Sequence, residues 1–167
     1  MTGSDAAGRR YILKAGALFG LAALSGCSTS GLWSGAGGTG SDMTAAALGH
    51  VNALRTARGL PPLSRDPAAA AAAIEQAGRM ARAGKMQHDI GLGPSFYARM
   101  KGQDVTLPAA ENIAAGQADA DAAYLAWLRS PKHLENMLGS TYRGLGVAVA
   151  HDPASQNRPY WAMVLSS

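Results

Sequence analysis

Gly144-Leu145-Gly146-Val147-Ala148-Val149-Ala150 alternates glycine or alanine with a larger apolar residue, which is the two-residue period of a β-strand. Tyr160-Trp161-Ala162-Met163-Val164-Leu165 follows after a loop containing Pro153, Asn157 and Pro159, so the C-terminal end reads as two antiparallel strands. Asn112 to Ala115 reads as a short third strand. Upstream the period is helical. Leu48, Val51, Leu54 and Arg55 share one face of a helix that starts near Met43 and ends before Gly59-Leu60-Pro61-Pro62. A second helix has Asp66 as N-cap, Pro67 at its first position and an alanine run behind it, and continues through Ile74, Ala77 and Ala81 until Gly84. Its small inner residues imply close packing on a neighbour. Pro94 to Met100 is short and helical, Asp119 to Arg129 carries Tyr124 and Trp127, and Ser130-Pro131 opens a helix with His133 and Met137 before Gly139. Helices first and strands last, without regular βα alternation, give an α+β fold.

The chain has 167 residues, 47% hydrophobic and 16% charged, with a formal net charge of +4. That length predicts one compact domain with a modest tail. No period of 20–50 residues repeats, which argues against a solenoid. One cysteine excludes an internal disulfide framework and any cysteine-rich metal site.

The N-terminus is an address. Arg9-Arg10-Tyr11-Ile12-Leu13-Lys14 precedes Ala15-Gly16-Ala17-Leu18-Phe19-Gly20-Leu21-Ala22-Ala23-Leu24. That apolar run is far below the ~20 residues that span a bilayer, so 1–26 reads as a signal peptide. Its end, Leu24-Ser25-Gly26-Cys27, resembles a bacterial lipobox, and Cys27 is then the lipidated first residue of the mature chain. The twin arginines fit export by the Tat route, and an ordinary Sec signal with two arginines gives the same pattern. Two or three acyl chains anchor stably, which makes the membrane a partner. Ser28 in place of an aspartate favours the outer membrane, facing the periplasm. Residues 27–42 are mostly Ser, Gly and Thr with a lone Trp33, a flexible linker reaching about 20 Å. Removing 1–26 takes Asp5, Arg9, Arg10 and Lys14 and halves the net charge, so basicity gives no reason to invoke nucleic acid. The folded domain is expected over 43–167.

No GxGxxG opens a helix, and GxxxxGK[ST], HExxH, GxSxG and EF-hand patterns are absent. What remains for chemistry is His88, Glu111 and His133, with His50 and His151 outside that set. Two histidines and a carboxylate are a legitimate zinc set, and hydrogen-bonded surface histidines are the plainer reading. His133 would sit in the first turn of its helix, where the dipole disfavours imidazolium and keeps the ring neutral.

The order of these pieces resembles the CAP superfamily of cysteine-rich secretory proteins, antigen 5 and pathogenesis-related proteins. Asn52-Ala53-Leu54-Arg55 and Gly59-Leu60-Pro61-Pro62-Leu63-Ser64-Arg65-Asp66 carry its opening. His88, Glu111-Asn112-Ile113-Ala114, Trp127-Leu128-Arg129-Ser130-Pro131-Lys132-His133, Asn136-Met137-Leu138, Tyr142-Arg143-Gly144-Leu145-Gly146-Val147 and Tyr160-Trp161 continue it in order. The likeness is greatest to the compact bacterial SCP-like branch. It implies an α–β–α sandwich with a small antiparallel central sheet, and a cleft formed by His88, Glu111, Asn112, Ser130 and His133. It implies that His88 and His133 face each other and can hold a divalent metal such as zinc. Many eukaryotic members have a second cleft glutamate where this chain has Ser130, and Asp119 and Asp121 do not replace it. The resemblance favours a binding module for a lipid, cell-wall fragment or other small ligand over an enzyme. The alternatives are a zinc-dependent hydrolase with Glu111 as base, and a structural or partner-binding envelope protein.

Overall fold

The computed structural model describes residues 39–167. The signal segment, Cys27, Trp33 and the linker as far as residue 38 lie outside the described residues. In chain order the elements are β1 (Thr39–Asp42), α1 (Thr44–Thr56), β2 (Ser64–Arg65), α2 (Pro67–Ala83), α3 (Phe96–Gly102), β3 (Ala110–Ala115), α4 (Ala120–Leu128), α5 (Pro131–Met137), β4 (Gly144–His151) and β5 (Tyr160–Ser166). A single 3₁₀ turn, Pro153–Ser155, links β4 to β5. No helix among the described residues is long and apolar enough to cross a membrane.

The strands form one sheet in the order β1-β4-β5-β3, antiparallel throughout, while β2 adds a short parallel pairing to β4 beside β1. Alternation along the strands sorts the core into two layers. Leu145, Val147, Val149, Trp161, Met163 and Leu165 point to the face covered by α1, α4 and α5, where Val51, Trp127 and Met137 meet them. Ala148, Ala150, Tyr160, Ala162 and Val164 point to the other face, against α2 and α3. The fold is the expected α–β–α sandwich.

The alanine run explains how closely α2 lies on the sheet. Ala69, Ala72, Ala73, Ala77 and Ala81 are all essentially inaccessible. Gly146 completes the approach, because a Cβ there would lie on the backbone of Ala69 and Ala70. Both ends of α2 form as their residues dictate. Asp66 accepts the Ala68 N–H at 2.9 Å and also the Ser166 hydroxyl, tying the helix start to the end of β5. Gly84 ends the helix with φ 62°, a left-handed conformation that glycine adopts without strain.

The motif around α1 proves to be structural. Asn52 exchanges two bonds with the backbone of Leu63, donating to its carbonyl at 2.9 Å and accepting its N–H at 2.7 Å. Arg55, fully buried, donates to the carbonyls of Pro61, Met137 and Gly139 at 2.9 Å each. One side chain thereby fixes the loop after α1 and the C-terminal end of α5.

The linker boundary needs correction. Thr39–Asp42 is a strand on the β4 edge, with Thr39 opposite His151 and Asp42 opposite Ala148. Asp42 then accepts the Thr44 N–H at 2.8 Å and an Arg65 N–H at 2.7 Å, joining β1, α1 and β2. Burial works against the ionised Asp42, and the bonds from Thr44 and the Arg65 cation outweigh it, so its pKa falls below the ordinary value.

Candidate functional site

β3 is the sheet edge where the two helical layers part, and the site forms there. Alternation sends Glu111 to the side of α2 and α3, and Asn112 to the side of α5. The segment after α2 brings His88 to Glu111, while α5 brings His133 from the opposite layer. Between them opens a cleft of about 410 Å³, lined by His88, Phe96, Ala109, Ala110, Glu111, Lys132, His133, Asn136 and Tyr142.

Glu111 is 2% exposed at its side chain, and a buried carboxylate must be paired. Arg99 of α3, itself 1% exposed, clamps it with two bonds, Nη1 to Oε2 at 2.8 Å and Nη2 to Oε1 at 3.0 Å. His88 donates its Nδ1–H to Oε1 at 2.8 Å. Both carboxylate oxygens therefore accept at least one N–H bond, Oε1 two and Oε2 one. The Nδ1–H bond orients the His88 ring and leaves Nε2 as the ring's second polar atom.

The backbone around His88 is held as firmly. Gln76, buried in α2, donates to the carbonyls of Gln87 and His88 at 2.7 and 3.0 Å, and Arg99 reaches the His88 carbonyl at 3.3 Å. Across the cleft, Asn112 donates to the His133 carbonyl at 3.0 Å and accepts from Asn136 at 2.8 Å. Burial, and secondarily the neighbouring His88, push the His133 pKa below its ordinary value. That direction favours the neutral ring, and its leading cause is desolvation rather than the helix dipole.

Of the five cleft residues expected from the sequence, His88, Glu111 and His133 line the cavity. Asn112 lies behind it as the strut just described. Ser130 is not among the lining residues: it takes the N-cap backbone conformation of α5, its hydroxyl makes no cap bond, and Pro131 sets the helix start. Asp119 caps α4 through the Ala122 N–H, and Asp121 bonds His50 at 2.9 Å on the outer surface, so neither supplies a cleft carboxylate. Sequence reading missed Arg99. The available signal was an arginine beside Met100 in a short helix, a poor place for a charge unless an acid waits inside.

The donor set does not fit a three-ligand zinc centre. Among the described residues no three of His, Cys, Asp and Glu gather closely enough to hold a metal ion. The carboxylate that would complete the set is committed to Arg99 and His88. Two imidazoles remain, one on each wall.

The model of the cysteine-rich secretory protein (CAP) family matches residues 48–165. A search of curated proteins finds no match. Among solved structures, an outer surface protein from Borrelia burgdorferi is similar with a TM-score of 0.66 and 20% identity, covering 78% of this chain and 98% of that one. An extracellular protein containing an SCP domain, from Bacillus anthracis, gives 0.65 and 28% over 73% of this chain and 39% of that one. A cysteine-rich secretory protein from Staphylococcus aureus gives 0.55 and 19% over 74% and 38%. This chain spans about two-fifths of the length of those last two. At 19% and 20% identity the likeness shows the fold alone.

Proposed function

Because the chain belongs to the cysteine-rich secretory protein (CAP) family, we propose that it is a binding module of the bacterial cell envelope, exported and lipid-anchored through Cys27, whose cleft holds a small ligand. The lipobox-like end of the signal segment supports the anchor. The observation that carries binding over hydrolysis is the state of Glu111. A general base needs a lone pair within reach of a water and a carboxylate free to take a proton, and here the Glu111 side chain is 2% exposed and held in an ion pair by Arg99. The cleft offers instead the aromatic rings of Phe96 and Tyr142, two imidazoles, the Asn136 amide and the Lys132 ammonium. That set suits an amphiphile or a cell-wall fragment with an apolar body and a polar or acidic end.

Titration of the protein with phospholipid and muropeptide probes, read by the ring-proton NMR signals of His88 and His133, tests this. Binding is expected to move both histidines, and to weaken at least tenfold in His133→Ala. No response to either class of probe overturns the ligand-binding reading. A zinc-dependent hydrolase remains the second reading on the two imidazoles that line the cleft, and it requires zinc uptake by the purified protein that is lost in the double variant His88→Ala/His133→Ala.

A further inference from the structure

The segment between α2 and α3 is apolar where water should be its only neighbour. Leu92 is fully exposed, between Gly91 with φ 59° and Gly93, whose N–H closes a turn on the Ile90 carbonyl. Met86 and Tyr97 on the flanks are 51% and 61% exposed. Cations accompany them. Lys85 precedes Met86, Lys101 lies one helical turn beyond Tyr97 on the same face of α3, and Asp89 is the one acid between Gly84 and Gly102.

This segment starts at the end of the sandwich where the chain enters it. Thr39 pairs with His151 at the end of β4, the Pro153–Ser155 turn follows directly, and Ser155 packs 3.8 Å from where a Cβ on Gly84 would stand. Gly84 is the last point of α2 before the exposed segment begins. Only twelve residue steps separate Cys27 from Thr39 in the sequence. An anchor at Cys27 would therefore tether the chain near Thr39, at the end where this segment begins.

We propose that the segment 85–98, with Leu92 at its tip, docks on an anionic bilayer surface. The glycine-flanked leucine and its neighbours Met86 and Tyr97 enter the headgroup–acyl boundary, and Lys85 and Lys101 meet lipid phosphates. Because His88 and Phe96 belong to the same segment, docking turns this wall of the cleft towards the lipid. The proposal rests on the anchored reading of Cys27 for its orientation, while the surface itself is a property of the described fold.

The test uses the full chain purified from membranes and reconstituted into vesicles of phosphatidylethanolamine and phosphatidylglycerol. An environment-sensitive dye is placed on Leu92→Cys, and for comparison on Ser140→Cys in the turn before β4. The expected result is a blue shift and quenching by brominated acyl chains at 92 and not at 140, both reduced about tenfold by adding Met86→Glu and Tyr97→Glu. A dye at 92 as exposed as the dye at 140 overturns the proposal. So does equal burial on neutral phosphatidylcholine vesicles, or burial without vesicles accompanied by dimers in sedimentation, which assigns the patch to a second copy. Intact mass reports acylation of Cys27 separately. An unacylated chain whose dye at 92 still buries on anionic vesicles removes the anchor and keeps the docking surface.

Discussion

At the scale of single residues, the site is organised by an arginine. Arg99 and Glu111 are buried together, and their bidentate pair removes the cost that either charge would impose alone. Arg99→Met is expected to destabilise the fold by about 3–5 kcal/mol, as removal of one partner from a buried pair does. The double variant Arg99→Met/Glu111→Leu should recover most of that loss in urea unfolding. It should not recover ligand binding, because His88 has then lost the acceptor that orients its ring. If the double variant binds as the native protein does, the pair is only structural. His133 carries a separate pH signature. Its pKa is depressed in the folded protein, so below the ordinary value of 6.5 the unfolded chain takes up a proton that the folded chain resists. Its contribution is neutral above that value and becomes a growing loss of stability as pH falls from 6.5 towards the depressed folded value. Unfolding midpoints compared at about pH 7.5 and about pH 5 should fall less in His133→Gln than in the native protein. An identical fall in both would show that His133 is not held neutral.

At the scale of elements, the helix ends were the most legible features and the strand edges the least. Asp66-Pro67 and Gly84 bound α2 because a side-chain acceptor, a missing N–H and a left-handed glycine act within one turn of their own position. Asp66→Ala should cost about 1–2 kcal/mol, since it removes the acceptor for Ala68 and the partner of Ser166 together. The close approach of α2 to β4 was also implied by composition, and Gly146 makes it testable. Gly146→Ala must push backbone against backbone, so its cost should reach or exceed the upper end of ordinary overpacking, about 3 kcal/mol, with a matching fall in thermal midpoint. A midpoint within experimental error of the native one would mean that α2 sits further from the sheet. By contrast β1 reads as linker because Thr39-Gly40-Ser41-Asp42 has low strand propensity. Its structure comes from the open edge of β4, which lies more than a hundred residues away. Glu111 stood out as a site residue, yet its neutralisation did not, because Arg99 belongs to another element and no periodic pattern links the two.

At the scale of the molecule, the sandwich explains why two histidines from different layers meet at all. β3 is the edge strand, and its alternation hands Glu111 to one layer and Asn112 to the other, so each layer's histidine is held by one of two consecutive residues. The order of motifs made this architecture legible as a resemblance. The physical content of those motifs is mostly scaffold: Asn52 and Arg55 hold loops through backbone groups and stand apart from the cleft. The same architecture leaves β4 dependent on β1 for its far edge, and this decides where the domain begins. A chain starting at Met43 lacks the β1 pairing and the Asp42 bonds from Thr44 and Arg65. With hydrogen bonds contributing about 0.5–1.5 kcal/mol each, the loss should be about 2–4 kcal/mol. The exposed β4 edge should also promote self-association, because Ala148 to His151 would present unpaired backbone groups. A chain starting at Thr39 should keep the native stability and remain monomeric. Thermal unfolding and sedimentation of the two proteins separate the cases: equal midpoints would place β1 outside the cooperative fold, and a lower midpoint with dimers for the shorter chain is the outcome its position on the sheet requires.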